Sequence, residues 1–350
     1  MIKIIPWDNI QEWNSVLKSF PRYDVYYMRE YVAAFKIHGD GEPLLIYYNS
    51  QNLRAVKVVM KRRIELADVS FLQTGFYDLI SPYGYGGFIF DGDVSKEILK
   101  QLLLEYNHIL NNNNIISEFT RFHPLLDNSS SIKETIPVIE LGKTISMDLS
   151  SEENIWNNIS SKNRNMIRKA QKNGIVINNG LSKDLMAEFI AIYNATMERD
   201  YASDYYFFKE EFYQSVLDNL KDNCKIFYAT LEGKIIAMSI ILYANSYMHY
   251  HLSGSLFEYR QFAPSNLLLY EAALWGYQQG FKVFHLGGGI GSGEDNLFKF
   301  KQAFNKNSSH TFAIGKYIYN QEIYDRLVNA KKDTDPDFDE NSNFFPLYRA

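Results

Sequence analysis

The sequence predicts an α/β protein made of two consecutive domains of the same kind, each built on a mixed sheet. The first observation is length, because 350 residues suit about two domains of roughly 150 residues each. The second is a repeated order of elements. A β-hairpin, a further strand, a loop, a helix and another strand occur twice, offset by roughly 165 to 180 residues, which indicates duplicated domains rather than a solenoid.

The first copy of the repeat begins at residues 44–64, LLIYYNSQNLRAVKVVMKRRI. Two β-rich runs flank the polar turn 49–52, which is the pattern of a hairpin. A strand is then expected at 69–74, a helix at about 95–112 and a strand at 115–122.

The second copy begins at residues 225–243, KIFYATLEGKIIAMSIILY, where the β-rich runs flank Glu232 and Gly233. A strand at 247–252, a helix at about 265–279 and a strand at 281–286 follow. Each half therefore combines an antiparallel hairpin with a strand–helix–strand crossover, which favours a mixed sheet.

Domain boundaries are predicted from this repeat. The first domain is expected at 1–145 and the second at 146–315. The segment 316–350 is expected to pack on the first domain and complete it.

Composition and charge exclude several classes of protein. The net charge of −5 gives no general attraction to nucleic acid, so DNA is not an expected partner and any polyanion must meet a local basic patch. A single cysteine, Cys224, excludes a disulfide framework. Neither a signal peptide nor an apolar run of about 20 residues is evident, so a cytoplasmic protein without an integral membrane segment is expected.

A glycine-rich turn follows the last predicted strand, in residues 281–304, FKVFHLGGGIGSGEDNLFKFKQAF. A short helix is expected after it, with Leu297, Phe300 and Phe304 on one apolar face at spacings of three and four. Glycines at a strand's end let the backbone approach a ligand and present free N–H groups. The spacing fits no dinucleotide fingerprint, and a phosphate-binding loop would need lysine where Glu294 stands. Gly288 and Gly289 are therefore expected in a substrate loop, the alternative being a tight structural turn.

A basic stripe lies in residues 160–174, SSKNRNMIRKAQKNG. Arg164, Arg168 and Lys172 recur at intervals of four, and like charges at this spacing are mildly destabilising on a helix. An anion beside the stripe would explain it; a solvated helix face is the alternative.

The order of elements in each half is similar to the fold of the GCN5-related (GNAT) acyltransferases, and two such domains in tandem resemble the Fem-type peptidyltransferases. HLGGGIGSGEDNLFKFKQAF resembles the C-terminal signature of that family, which ends in an F-K-x-x-F helix. The resemblance implies that Phe300 and Lys301 stabilise the oxyanion of a tetrahedral intermediate. The alternative for Lys301 is an ordinary solvated lysine, with Lys299 as the neighbouring candidate.

Further residues follow from the same resemblance. Arg199 with Tyr206, or Tyr205 in another register, resembles the family's grip on a precursor phosphate; a surface arginine paired with Glu198 or Asp200 is the alternative. Asp78 matches a position where relatives line the precursor channel and is a candidate substrate-binding residue or proton acceptor. The basic stripe resembles the entry to the second Fem domain, where Arg164 and Arg168 would meet tRNA or a diphosphate.

Two kinds of site are disfavoured. Coenzyme-A-dependent enzymes of this fold use a glycine-containing loop at a helix start to bind pyrophosphate, whereas residues 260–265 here read RQFAPS. Ala263 replaces a glycine and Pro264 lacks an amide donor. No metal site is expected, because His249 and His251 have no carboxylate or cysteine at ligand spacing.

The resemblance implies transfer of an aminoacyl or acyl group to an amine of a cell-envelope precursor, UDP-linked or lipid-linked, such as a peptidoglycan peptide. The donor is expected to be aminoacyl-tRNA, with no cofactor. One alternative is an acyl-CoA-dependent N-acyltransferase that acts on an amino sugar in polysaccharide synthesis. The other is a non-catalytic binding protein of the same fold.

Overall fold

The structure, a computed structural model, describes residues 1–65 and 75–350. It divides into two compact units, one formed by Met1–Leu141 with Phe312–Ala350 and the other by Gly142–Thr311. The domain boundaries thus fall at 141/142 and 311/312, against the expected 145/146 and 315/316. The predicted strand at 69–74 lies outside the described residues.

Strands and helices alternate in both units. In chain order the strands are β1 Ile2–Pro6, β2 Glu42–Asn49, β3 Leu53–Arg63, β4 Tyr77–Ile80, β5 Ile89–Gly92, β6 Ile115–Arg121, β7 Ile139–Asp148, β8 Val176–Gly180, β9 Cys224–Leu231, β10 Lys234–Ala244, β11 Tyr247–Ser255, β12 Val283–Gly287 and β13 His310–Ile318. The helices are α1 Ile10–Lys18, α2 Arg29–His38, α3 Lys96–Asn112, α4 Asn128–Ile132, α5 Glu152–Asn158, α6 Ser161–Lys172, α7 Lys183–Arg199, α8 Glu210–Asn219, α9 Pro264–Gln278, α10 Asn296–Gln302 and α11 Gln321–Thr334.

The two sheets repeat one strand order. In the first unit it is β1-β2-β3-β4-β6-β13, with β5 also paired to β3. In the second it is β8-β9-β10-β11-β12-β7. The fourth and fifth strands of each series, β4 with β6 and β11 with β12, are parallel, and the flanking pairs are antiparallel. The predicted duplication of a mixed α/β unit is therefore confirmed.

Both predicted hairpins form where the turn chemistry places them. The second turns at Glu232 and Gly233, whose φ angles are +49° and +81°. A two-residue hairpin turn favours positive φ at both positions because that backbone twist matches the twist of the strands. Glycine adopts this conformation without strain, so the Glu-Gly pair ends β9 and begins β10 at the predicted residues.

Each unit has its own apolar core beneath its sheet. The helix α3 buries Leu99, Leu102, Tyr106 and Leu110, a spacing of three and four that places one helical face against the sheet. In the second unit α9 fills the corresponding place and buries Leu268, Ala272 and their neighbours. Within the part of the chain that the structure describes, no helix is long and apolar enough to cross a membrane.

The C-terminal segment belongs to the first unit. α11 buries Tyr324 and Leu327 in a cluster with Ile116 of β6, and the Tyr348 hydroxyl lies 2.8 Å from the Ser117 hydroxyl. The chain end thus packs on the same sheet whose last strand, β13, it follows.

Candidate active site

The glycine turn between β12 and α10 has a backbone that only glycine accommodates easily. Gly287 has φ +82°, and a Cβ there would lie 3.2 Å from the Lys301 Nζ. A Cβ on Gly288 would lie 2.9 Å from the Lys143 carbonyl oxygen, and one on Gly289 only 2.2 Å from the Gly293 carbonyl oxygen. The chain is therefore folded tightly upon itself, and side chains here would displace it.

Asp295 holds the turn against the start of α10. One carboxylate oxygen accepts from the Phe298 amide at 2.8 Å and the other from the Ile290 amide at 3.2 Å. The first bond is an N-terminal cap of α10. The Phe298 amide bond, together with the Ile290 amide, lowers the pKa of Asp295. Sequence analysis missed this residue, although an aspartate directly before NLFKF is an N-cap signal.

Lys301 is buried beside the glycine turn, with 9% of its surface exposed. Its Nζ donates to the Gly288 carbonyl oxygen at 2.7 Å. Burial lowers the pKa of Lys301 from 10.5 to about 8, and Asp295 opposes this shift only in part. An ammonium group in such a place is held against a backbone dipole rather than a carboxylate, so it stays available to a negative charge that forms nearby.

The other residues of the predicted F-K-x-x-F helix divide between core and surface. Phe298 and Phe304 are buried, and Phe300 is half-buried against the same core, edge-to-face with Phe304 at 5.4 Å. Lys299 is exposed. The expectation that Leu297 lies on the apolar face is wrong: it is 38% exposed, because Phe298 takes that place three residues before Lys301.

A second residue that sequence analysis missed is Thr144 of β7. It is buried, and its hydroxyl has no hydrogen-bond partner among the described residues. Its methyl group would lie 3.6 Å from a Cβ on Gly288, so Thr144 flanks the turn that Lys301 binds. No sequence pattern marks it, because the antiparallel pairing of β7 with β12 brings it there.

The two arginines of the basic stripe have different surroundings. Arg164 Nη1 donates to the Ile159 carbonyl oxygen at 2.9 Å and to that of Trp156 at 3.3 Å, so it caps the end of α5 and is half-buried. Arg168 is exposed, and its guanidinium lies 5.1 Å from the centre of the Trp156 ring. Only Arg168 and the exposed Lys172 remain of the expected anion-facing stripe.

Arg199 is the last residue of α7, and its guanidinium contacts neighbouring residues at the surface of the second unit. It pairs with Asp200 and donates to the Ser255 carbonyl oxygen at 3.1 Å, which is the surface pairing that the sequence left open. Tyr206 is 36% exposed and belongs to a short 3₁₀ turn, where the adjacent Tyr205 ring stands edge-to-face with it at 5.6 Å. The shared grip of Arg199 and Tyr206 on a precursor phosphate stays a prediction.

Asp78 is fully buried in the first unit. Its carboxylate pairs with Arg62 and Arg349 and accepts from the Tyr348 hydroxyl at 3.1 Å. These contacts anchor the end of the chain to β4. They give the Asp78 carboxylate a structural role. They do not support a role in binding substrate or accepting a proton.

The start of α9 is the position at which the sequence predicts a poor pyrophosphate-binding loop. Ala263, with φ +57°, occupies the N-cap without a side-chain bond, and Pro264 follows it. The Asn266 side-chain Nδ2 donates to the Asn163 Oδ1 at 2.7 Å. An alanine in the left-handed region pays a steric cost that glycine would avoid, so this turn is not an ordinary glycine cradle.

Comparison with known families matches residues 159–301 to the family described as "Acetyltransferase (GNAT) domain". This span runs from the end of α5 to Lys301. The chain is also 26% identical over 171 residues to the UDP-N-acetylmuramoylpentapeptide-lysine N(6)-alanyltransferase of Weissella viridescens, a match that covers 48% of this chain and 50% of the relative. The resemblance to the Fem-type, GNAT-like transferases is confirmed.

The match to the Weissella protein spans about half the length of that relative. Solved structures support a Fem-type fold over more of the chain. The crystal structure of FemX aligns with a TM-score of 0.68 at 15% identity, covering 93% of this chain and 99% of that one. The C-terminal domain of a putative lysylphosphatidylglycerol synthetase from Agrobacterium fabrum aligns with a TM-score of 0.54 at 13% identity, covering 94% and 95%.

The structure thus brings some of the predicted residues together and leaves others apart. Lys301 and Gly288 are in contact at the glycine turn of the second unit, with Gly289 close to Asp295, while Phe300 packs against Phe304 on the same short helix. Arg164 and Arg168 share the Trp156 ring. Asp78 belongs to the first unit.

Proposed function

We propose that this chain is a Fem-type acyltransferase that transfers an aminoacyl or acyl group to an amine of a cell-envelope precursor. The observation that carries the proposal is the buried Lys301, bonded to the Gly288 carbonyl at 2.7 Å in the segment matched to the acetyltransferase domain. The name of the Weissella relative, an alanyltransferase acting on the lysine of a UDP-linked muramoyl pentapeptide, supports this substrate class.

In the proposed reaction a neutral amine attacks the carbonyl carbon of an acyl ester. The new C–N bond forms as the carbonyl oxygen becomes an oxyanion, and Lys301 donates a hydrogen bond to it. The C–O bond to the donor then breaks, the departing alcohol oxygen takes up a proton, and the nitrogen loses one, leaving an amide. Binding both substrates in one cleft supplies much of the rate.

Phe300 supports Lys301 in this scheme. Its half-buried ring packs against Phe304 and the core of the second unit, which keeps water from one side of α10. A water-poor surrounding strengthens the attraction between an ammonium and a forming oxyanion. Thr144, whose buried hydroxyl has no partner in the described part of the chain, is a candidate second donor beside the glycine turn.

The donor is proposed to be aminoacyl-tRNA, held in part by Arg168 and Lys172. Both side chains are exposed on α6, one helical turn apart, and can meet successive phosphates. Arg164 is not expected to bind tRNA, because its guanidinium caps the C-terminal end of α5. An acyl-CoA donor with an amino-sugar acceptor remains the rival, and the match to the acetyltransferase family makes it worth testing directly.

Product formation by the purified protein decides between these donors. Charged tRNA and acetyl-CoA are each offered with a UDP-linked muramoyl peptide and with an amino sugar, and amide products are read by mass spectrometry. We expect an aminoacylated peptide that depends on tRNA. Amide formed from acetyl-CoA with no tRNA requirement would replace the proposal by the sugar N-acyltransferase.

Salt dependence tests the tRNA contact itself. Phosphate contacts release counterions, so the log of the affinity should fall with the log of the salt concentration, with a slope of roughly 0.7 to 0.9 per contact. Arg168→Gln with Lys172→Gln should flatten that slope by about 1 to 2. Lys96→Gln with Lys100→Gln on α3, an equally spaced exposed pair, is the control and should leave it unchanged.

A further inference from the structure

A cavity of about 320 Å³ lies in the first unit, whereas the glycine turn and Lys301 belong to the second. It is bounded by α3, by β3, β6 and β13, and by the segment around Ile136. Protein cores leave few voids larger than a water molecule, and ligand pockets range over about 300–1,000 Å³. The cavity is therefore large for a packing defect and suited to a small ligand.

The walls of the cavity are aromatic and aliphatic. The rings of Phe88, Phe122 and Tyr106 line it, together with Leu103 and Ile136. Surfaces of this kind favour an apolar molecular body, because burying it removes apolar area from water.

The polar side of the cavity surrounds Glu118, whose carboxylate is already saturated. One oxygen pairs with Lys57 and accepts from the Thr120 hydroxyl at 3.0 Å. The other accepts from the hydroxyls of Tyr106 at 3.0 Å and Tyr319 at 2.8 Å. A carboxylate offers about four lone-pair positions, so Glu118 has none left for a ligand.

Lys57 also lines the cavity, and its ammonium has more N–H groups than it has acceptors among the described residues. Its ammonium carries three N–H groups, and the described acceptors are Glu118 and the Thr120 hydroxyl, the latter at 3.4 Å. Its Nζ also lies 5.0 Å and 5.1 Å from the ring centres of Phe88 and Tyr106. The charged part of the cavity therefore offers a donor and requires an acceptor from its occupant.

We propose that this cavity binds a small monocarboxylate with an apolar body, whose carboxylate accepts from Lys57 and whose body lies against Phe88, Tyr106 and Leu103. Lys316, which also lines the cavity, adds positive charge while its Nζ donates to the Asn343 carbonyl oxygen at 2.6 Å. An amine would bring a second cation next to Lys57 and find Glu118 occupied. The site does not depend on the proposed transfer reaction.

Calorimetric titration of the full chain with hexanoate and with hexylamine tests the proposal. For a ligand of this size we expect hexanoate to bind with a Kd of about 1 mM or lower, and hexylamine at least about tenfold more weakly. Leu103→Trp should fill the cavity and weaken hexanoate binding at least about tenfold. Leu104→Trp is the matched control, because Leu104 is the next residue of α3 and is 70% exposed; it should bind as the wild type does.

Two further variants keep the test decisive. Ile136→Trp fills the same cavity from its other wall should Leu103→Trp fail to fold. Lys57→Met combined with Glu118→Gln removes the ammonium without leaving a carboxylate unpaired, and should abolish the preference for hexanoate over hexylamine. Equal affinity for hexanoate and hexylamine, no saturable binding, or wild-type binding by both cavity-filling variants would overturn the proposal.

Discussion

Each unit of this protein buries a lysine, and the two lysines differ in what faces them. Lys57 in the first unit pairs with the carboxylate of Glu118, which also accepts from Tyr106 and Tyr319. Lys301 in the second unit donates to a backbone carbonyl, that of Gly288. Burial raises the pKa of Glu118, but Lys57 and the hydroxyls outweigh it and the pKa is lowered. Burial lowers the pKa of Lys301 to about 8.

The difference separates a charge that a carboxylate already compensates from one that only a backbone dipole compensates. A carboxylate neutralises Lys57 whether or not a substrate is bound. Removing either partner therefore leaves an unpaired charge in the core. A carbonyl dipole compensates Lys301 only partly. Its ammonium therefore gains most when an oxyanion forms beside it, which is the property required of a group that stabilises a transition state.

The largest expected effect is on stability, in the first unit. Lys57→Met should lower the free energy of unfolding by about 3–5 kcal/mol, the usual cost of breaking a buried ion pair. Urea unfolding followed by circular dichroism measures it. Adding Glu118→Gln should recover part of the loss, since no carboxylate is then left unpaired. A Lys57→Met protein as stable as the wild type would mean that the pair is not structural.

The second effect is on turnover, in the second unit. Lys301→Met should lower kcat at least about a hundredfold, the scale of losing one oxyanion donor. It should not destabilise the fold: the folded state holds this lysine at a pKa of about 8 against 10.5, so the ammonium costs up to about 3 kcal/mol at pH 7. That cost is fully present below pH 8 and disappears as the pH rises towards 10.5.

Steady-state kinetics and urea unfolding of the same Lys301→Met preparation check both statements. Lys299→Met is the matched control, because Lys299 is exposed two residues away on α10. Near-wild-type turnover in Lys301→Met together with an inactive Lys299→Met would transfer the role to the neighbouring lysine.

The smallest effect is the pH dependence of the proposed reaction. The ammonium form of Lys301 should be lost as pH rises through about 8, so kcat should fall above that value, by up to tenfold per pH unit. The amine acceptor must be neutral, which gives an opposite rise at lower pH and a bell-shaped profile. Lys301→Arg, charged throughout, should lose the alkaline limb; a limb that persists in this variant would belong to another group.

Sequence patterns predicted the local parts of both regions. β-rich runs around Glu232 and Gly233 predicted the β9–β10 hairpin, and the repeated order of elements predicted the helix at about 95–112, which is α3. A run of glycines after a strand predicted the glycine turn, and the resemblance to the Fem-type family implied Phe300 and Lys301. The expected apolar spacing failed at Leu297, because a short helix can rotate by one residue and bury Phe298 instead.

The sequence by itself determined the duplicated α/β fold and the resemblance to the Fem-type transferases, which makes Lys301 a candidate catalytic residue. Only the tertiary structure decided which charges are compensated. Arg164 lies eight residues from the Trp156 carbonyl that it caps, but Asp78 meets Arg349 across 271 positions, and Lys57 meets Glu118 from another strand. Hydrogen bonds and ion pairs form between atoms a few ångströms apart. Residues distant in sequence come that close only when strands pair and the chain end packs, so no local pattern could assign those partners.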